Sequence, residues 1–158
     1  MGRLTVLALR ICLAVGLAGL LFVQLVMVPL LAVDLSEAGS EVLRVRPAIV
    51  VIVLLGLLAI QVTLLCVWKL LSLVRRDAVF AQAAFKYVDV IIAAIAAAAL
   101  LTFAMGAVLA PGEAVAPGVV LMLGGVGLLI GAVALIVVVM RTLLAQAMTM
   151  RQELDEVI

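Results

Sequence analysis

The side chains in this sequence that could do chemistry are few. They are the amides Gln24 and Gln61, the Thr102 hydroxyl, the thiols Cys12 and Cys66, and carboxylates confined to the ends of apolar runs. With no histidine in the chain, imidazole acid–base catalysis, histidine metal ligation and Ser-His-Asp triads are excluded. Two cysteines cannot complete a structural zinc site on their own. No glycine-rich phosphate loop follows a strand pattern, and no carboxylate pair lies inside an apolar run. The residues therefore predict a protein that is not an enzyme and that uses no cofactor or metal.

What the amides can do is hydrogen-bond within an apolar medium, where an unsatisfied polar group is costly. Counted from the inner ends of their runs at helical rise, Gln24 lies ~20 Å and Gln61 ~10 Å from the same side. That difference predicts that they do not bond each other. Thr102 matches the height of Gln24, so the two can bond across helices if those spans touch. Structural glue is the simpler role for all three residues, and lining a substrate path is the alternative. Cys12 and Cys66 fall at similar depth near the inner side, where small buried thiols are expected rather than a disulfide.

Those residues must be positioned by helices in a membrane. The 158-residue chain is 70% hydrophobic and 12% charged, with a mean hydropathy of +1.55, far above the roughly half-apolar make-up of soluble domains. Four apolar runs, at about residues 11–33, 48–68, 90–110 and 118–140, are each long enough to cross a ~30 Å hydrocarbon layer. The first exceeds the apolar core of a signal peptide and ends without a small-residue cleavage pattern, so it reads as an anchor. Residues 34–47 read as a short loop, and 111–117, PGEAVAP, as a hairpin that cannot continue a helix. The one long polar interruption, RRDAVFAQAAFKYVD from Arg75 to Asp89, reads as a short interfacial helix capped by Asp77.

Arg3, Arg10, Lys69, Arg75, Arg76, Lys86, Arg141 and Arg151 fall on one side of these spans, against Arg44 and Arg46 on the other. Eight against two places both termini and the central stretch in the cytoplasm under the positive-inside rule. The fold expected is an all-α integral membrane protein, a four-helix bundle with N and C termini inside. A net charge of +1 excludes a strongly basic nucleic-acid binder, so the lipid bilayer is the first partner and no direct nucleic-acid contact is expected.

Two further features concern contacts. Gly124, Gly127 and Gly131 give the fourth span a small-residue face, and Ala93, Ala94, Ala97 and Ala98 give the third a similar one. The short hairpin makes these two spans neighbours, so internal packing is expected in preference to self-association. Residues 141–158 read as a helical tail whose Leu143, Ala147, Met150, Leu154 and Val157 form one apolar stripe. Composition favours a solvated or membrane-lying tail over one that docks a partner.

The central AVFAQAAFKYVD segment leading into VIIAAIAAAAL, the APGEAVAPG hairpin and the terminal ELDEVI resemble a bacterial four-span membrane family, in its actinobacterial branch. The family is catalogued as domain of unknown function 2975 and includes the YoaS-like proteins. The resemblance implies no catalytic residue. It implies, by association, a membrane partner for a cytoplasmic helix-turn-helix regulator. Arg75, Arg76, Lys86, Glu153, Asp155 and Glu156 are the candidate contacts, the acids suiting a basic regulator surface. The function expected is that of a non-enzymatic accessory or regulatory membrane protein. The alternative is a small transporter or lipid-binding protein, and ionisable residues are missing from the span interiors that ion transport would use.

Overall fold

Lipid offers no hydrogen bonds to a bare backbone, so a chain this apolar must satisfy its peptide groups within helices. The computed structural model describes residues 3–74, 82–111 and 115–157, and apart from short connections all of them are helical. The elements are α1 (Arg3–Phe22), a π-helical turn (Val23–Met27), α2 (Val28–Glu37), α3 (Ser40–Val74), α4 (Gln82–Leu109) and α5 (Pro117–Val157). α1, the π turn and α2 form one rod, so four helices are long and apolar enough to cross a membrane.

The π turn has a local cause. Pro29 lacks an N–H and its ring crowds the carbonyl four residues back, which a regular α-helix cannot accommodate without distortion. Here the chain widens by one residue just before the proline, and the Val28 N–H bonds back to the Val23 carbonyl. The rod then continues to Glu37 with Pro29 in the first turn of α2, a position where its missing donor costs least.

Two expected connections are shorter than their composition suggests. Residues 34–47 are not a loop. α2 runs to Glu37, Ala38 is extended, and α3 begins at Ser40, with the Val42 and Leu43 N–H groups bonding to the Gly39 carbonyl. Arg44, Arg46 and Pro47 lie on the first turns of α3, because charge alone does not separate a loop from a solvated helix end. Likewise residues 82–89 are continuous with the third span as the start of α4, and not part of a separate interfacial helix. The rest of that expected helix, with Arg75, Arg76 and Asp77, lies outside the described residues.

The helices form an open row in chain order: the α1–α2 rod packs on α3, α3 on α4, and α4 on α5. No comparable contact among the described residues closes the first helix onto α5, so this is a row of hairpins rather than a closed four-helix bundle. No described side chain of appreciable size is completely buried. That leaves van der Waals packing and polar pairs to hold neighbours together.

The α4–α5 hairpin packs through small residues. Gly127 is buried, and a Cβ there would stand 3.2 Å from the Phe103 ring of α4. At Gly131 the nearest atom would be the Ala99 Cβ at 3.9 Å, whereas Gly124 faces open space. The small-residue face is thus made by Gly127 and Gly131 without Gly124. Gly127→Leu is expected to cost about 1–3 kcal/mol by overpacking, read as a lower melting temperature in detergent at unchanged particle size. Phe103→Ala in the same chain should recover part of the loss, and Gly124→Leu should be silent. Equal effects at Gly124 and Gly127 would remove the steric assignment.

Candidate functional site

The amides and threonine hydroxyls inside the spans each have a partner set by helix geometry. Gln61, the one buried polar residue among those described, donates from Nε2 to Gln24 Oε1 at 2.7 Å. The amides that counting along the spans kept apart therefore bond each other, and Thr102 does not reach Gln24. Its hydroxyl donates to the Ala98 carbonyl of its own helix at 2.8 Å, the ordinary solution for a hydroxyl in a helix. Height along the axis misled because side chains lean toward the N-terminus of their helix. In antiparallel neighbours the two leans converge, so Gln24 reaches down and Gln61 up across several residues of backbone offset.

A second polar pair closes the α4–α5 hairpin at the opposite end from its turn. Arg141 donates from an Nη to Asp89 Oδ2 at 2.8 Å, with its Nε 2.5 Å from Oδ1. Its guanidinium also lies 5.8 Å from the centre of the Phe85 ring, one helical turn before Asp89. Phe85 and Asp89 thus form one receptor for a planar cation, through ring face and a single charge-assisted hydrogen bond. At the matching end of the first hairpin, Arg10 lies over Trp68 at 5.9 Å. The pairing was readable from spacing: residue 115, in the hairpin turn, is midway between Asp89 and Arg141, between Ala99 and Gly131, and between Phe103 and Gly127. Similarly Gly39 is midway between Arg10 and Trp68.

Between α3, α4 and α5 runs an apolar groove of about 510 Å³, lined among others by Gly56, Ala59, Ala98, Leu101, Leu123 and Ile130. Its two hydroxyls, Thr63 and Thr102, already donate to carbonyls of their own helices. Such a surface can accept hydrocarbon but cannot orient a polar substrate. Among the described residues no group of three metal-ligating side chains could hold an ion. Cys12 is exposed and Cys66 buried, and both are free thiols.

The remaining candidates lie near the charged end. Lys86 is exposed on the first turns of α4, and Glu153, Asp155 and Glu156 are exposed near the end of α5. Among the described residues no hydrogen bond or ion pair joins these four to one another, and Arg75 and Arg76 lie outside the described residues. A family model described as protein of unknown function (DUF2975) matches residues 30–158, well over half the chain and starting just beyond Gln24. No curated protein and no solved structure matches.

Replacing one amide leaves the other unpaired in lipid, so Gln61→Leu should destabilise by about 1 kcal/mol. Gln24→Leu with Gln61→Leu should then cost less than the two singles added. Strict additivity in that cycle would show that the 2.7 Å bond carries no coupling. The ion pair is partly exposed, with side-chain exposures of 35% for Arg141 and 52% for Asp89, so Asp89→Asn should cost only about 0.5 kcal/mol. Arg141→Lys should lose as much, because an ammonium keeps the charge without the flat face that lies over Phe85. Unchanged stability in Arg141→Lys would reduce the site to net charge.

Proposed function

Because this chain belongs to the DUF2975 family, whose function is unknown, we propose its role from its own geometry: a non-enzymatic, multi-pass accessory protein of the cytoplasmic membrane that engages a soluble cytoplasmic partner. The single observation behind this reading is α5. It does not stop where the ion pair marks the end of the hairpin but continues as one helix from Arg141 to Val157, exposed along most of its length. A helix of 41 residues is ~60 Å long, about twice the hydrocarbon thickness. The excess must stand in water or against another macromolecule.

The orientation follows from charge. The end that holds Arg10, Lys69, Lys86 and Arg141 is rich in cations and takes the cytoplasmic side, with both termini. Glu153, Asp155 and Glu156 then present carboxylates to the cytosol, suited to a basic surface such as that of a helix-turn-helix regulator. Purification of the full chain from native membranes, against Glu153→Lys/Asp155→Lys/Glu156→Lys, tests the reading. A soluble basic protein should copurify with the first and be lost from the second. Its absence from both, or equal recovery, overturns the proposal.

The groove favours a second reading, a lipid-binding protein. Its lining would hold an acyl chain, and that reading predicts lipid retained through detergent exchange and reduced when Gly56→Phe fills the groove.

A further inference from the structure

The exposed tail carries more order than a solvated helix needs. After Arg141 the apolar residues of α5 sort into two seams. Ala145 and Met148 continue the line of Arg141 on the side of α5 that faces its own chain, and all three are half-buried. Leu143, Ala147, Met150, Leu154 and Val157 lie on the opposite side, all exposed. Their spacing alternates four and three without a break, a strict 3.5-residue repeat with Ala147 and Leu154 at one core position and Leu143, Met150 and Val157 at the other. The exposed residues between are polar apart from Leu144, which flanks the seam.

A 3.5-residue repeat selects its occupant. A flat bilayer surface favours a broader stripe at the natural helical period, whereas a strict two-in-seven seam is the pattern of a helix wrapped on another helix. Lying flat would also need a bend at the membrane surface, whereas α5 is continuous through the span and contains no proline after Pro117 and no glycine after Gly131. The partner helix must therefore stand beside α5 as it leaves the membrane. Among the described residues only α5 extends so far, since α3 is described to Val74 and α4 from Gln82.

We infer that the exposed seam of α5 pairs with the same seam of a second copy, as a parallel two-stranded coiled coil rising from the membrane. Two copies share one orientation in the bilayer, which makes the pairing parallel and two-fold symmetric. In this register Gln146 of one copy flanks Arg151 of the other, no acid faces an acid, and Asp155 and Glu156 point outward. Ala147 lets the helices approach closely where they leave the lipid. The pairing also supplies the packing that a helix of this length otherwise lacks in water, where isolated segments of ~12–15 residues are marginal. The glycine face plays no part, being occupied by α4. This inference goes beyond the proposed partner binding and stands without it.

Cross-linking in native membranes tests it, with Cys12→Ala and Cys66→Ala removing the native thiols. Leu154→Cys in that background should give an oxidised product of twice the chain mass, several-fold above Gln152→Cys and Asp155→Cys. Equal yields at the three positions, no product at Leu154→Cys, or a product with a protein of another mass overturns the inference. Independently, Met150→Asp in the otherwise unaltered chain should halve the protein mass in mild detergent, since that exposed side chain makes no internal packing to lose. A dimer mass retained by Met150→Asp overturns it as well.

Discussion

Neighbouring helices in lipid gain nothing from hiding apolar surface, so the arrangement depends on whatever fixes one helix against the next. Here that is a polar pair in each outer hairpin. Gln24 with Gln61 ties the first rod to α3, and Asp89 with Arg141 ties α5 to α4. Each is directional, and among the described residues no such pair joins α3 to α4 in the middle of the row, where the groove lies. The open shape follows. Among the described residues no such pair draws the first helix toward α5, and the row does not close.

Glycine and ring complete what the pairs begin. The Asp89–Arg141 contact sets the register of the last hairpin, and in that register Phe103 falls on Gly127 and Ala99 on Gly131. A slip of four residues in one direction would place Leu123 against the ring, and in the other it would take Gly131 away from Ala99. The electrostatic contact and the steric fit therefore specify the same alignment, which is how local and global preferences agree in a well-determined fold.

Much of this was legible in the residues, and the parts that were not have physical reasons. The four helices follow from hydropathy, because lipid permits little else. The ends did not, since Asp34, Glu37, Arg44 and Arg46 read as a loop while a solvated helix turn accepts the same charges. The amide pair was missed because depth was counted along backbones, and long side chains on antiparallel helices close several residues of offset. The ion pair could have been found by measuring from the hairpin turn. Only the family resemblance carried a suggestion about function, and the match over residues 30–158 extends to the family and not to an activity.

The unbroken length of α5 also makes it a lever. Its fulcrum is the Arg141 contact, and ~25 Å of stiff helix stands beyond it. Hydrophobic helices answer a change in bilayer thickness by tilting. A tilt of about 10° about that fulcrum swings the tip by roughly 4 Å at helical rise, comparable to the width of a side chain. A tilt of that size would carry Glu153, Asp155 and Glu156 together, because no proline or glycine follows Gly131 in α5.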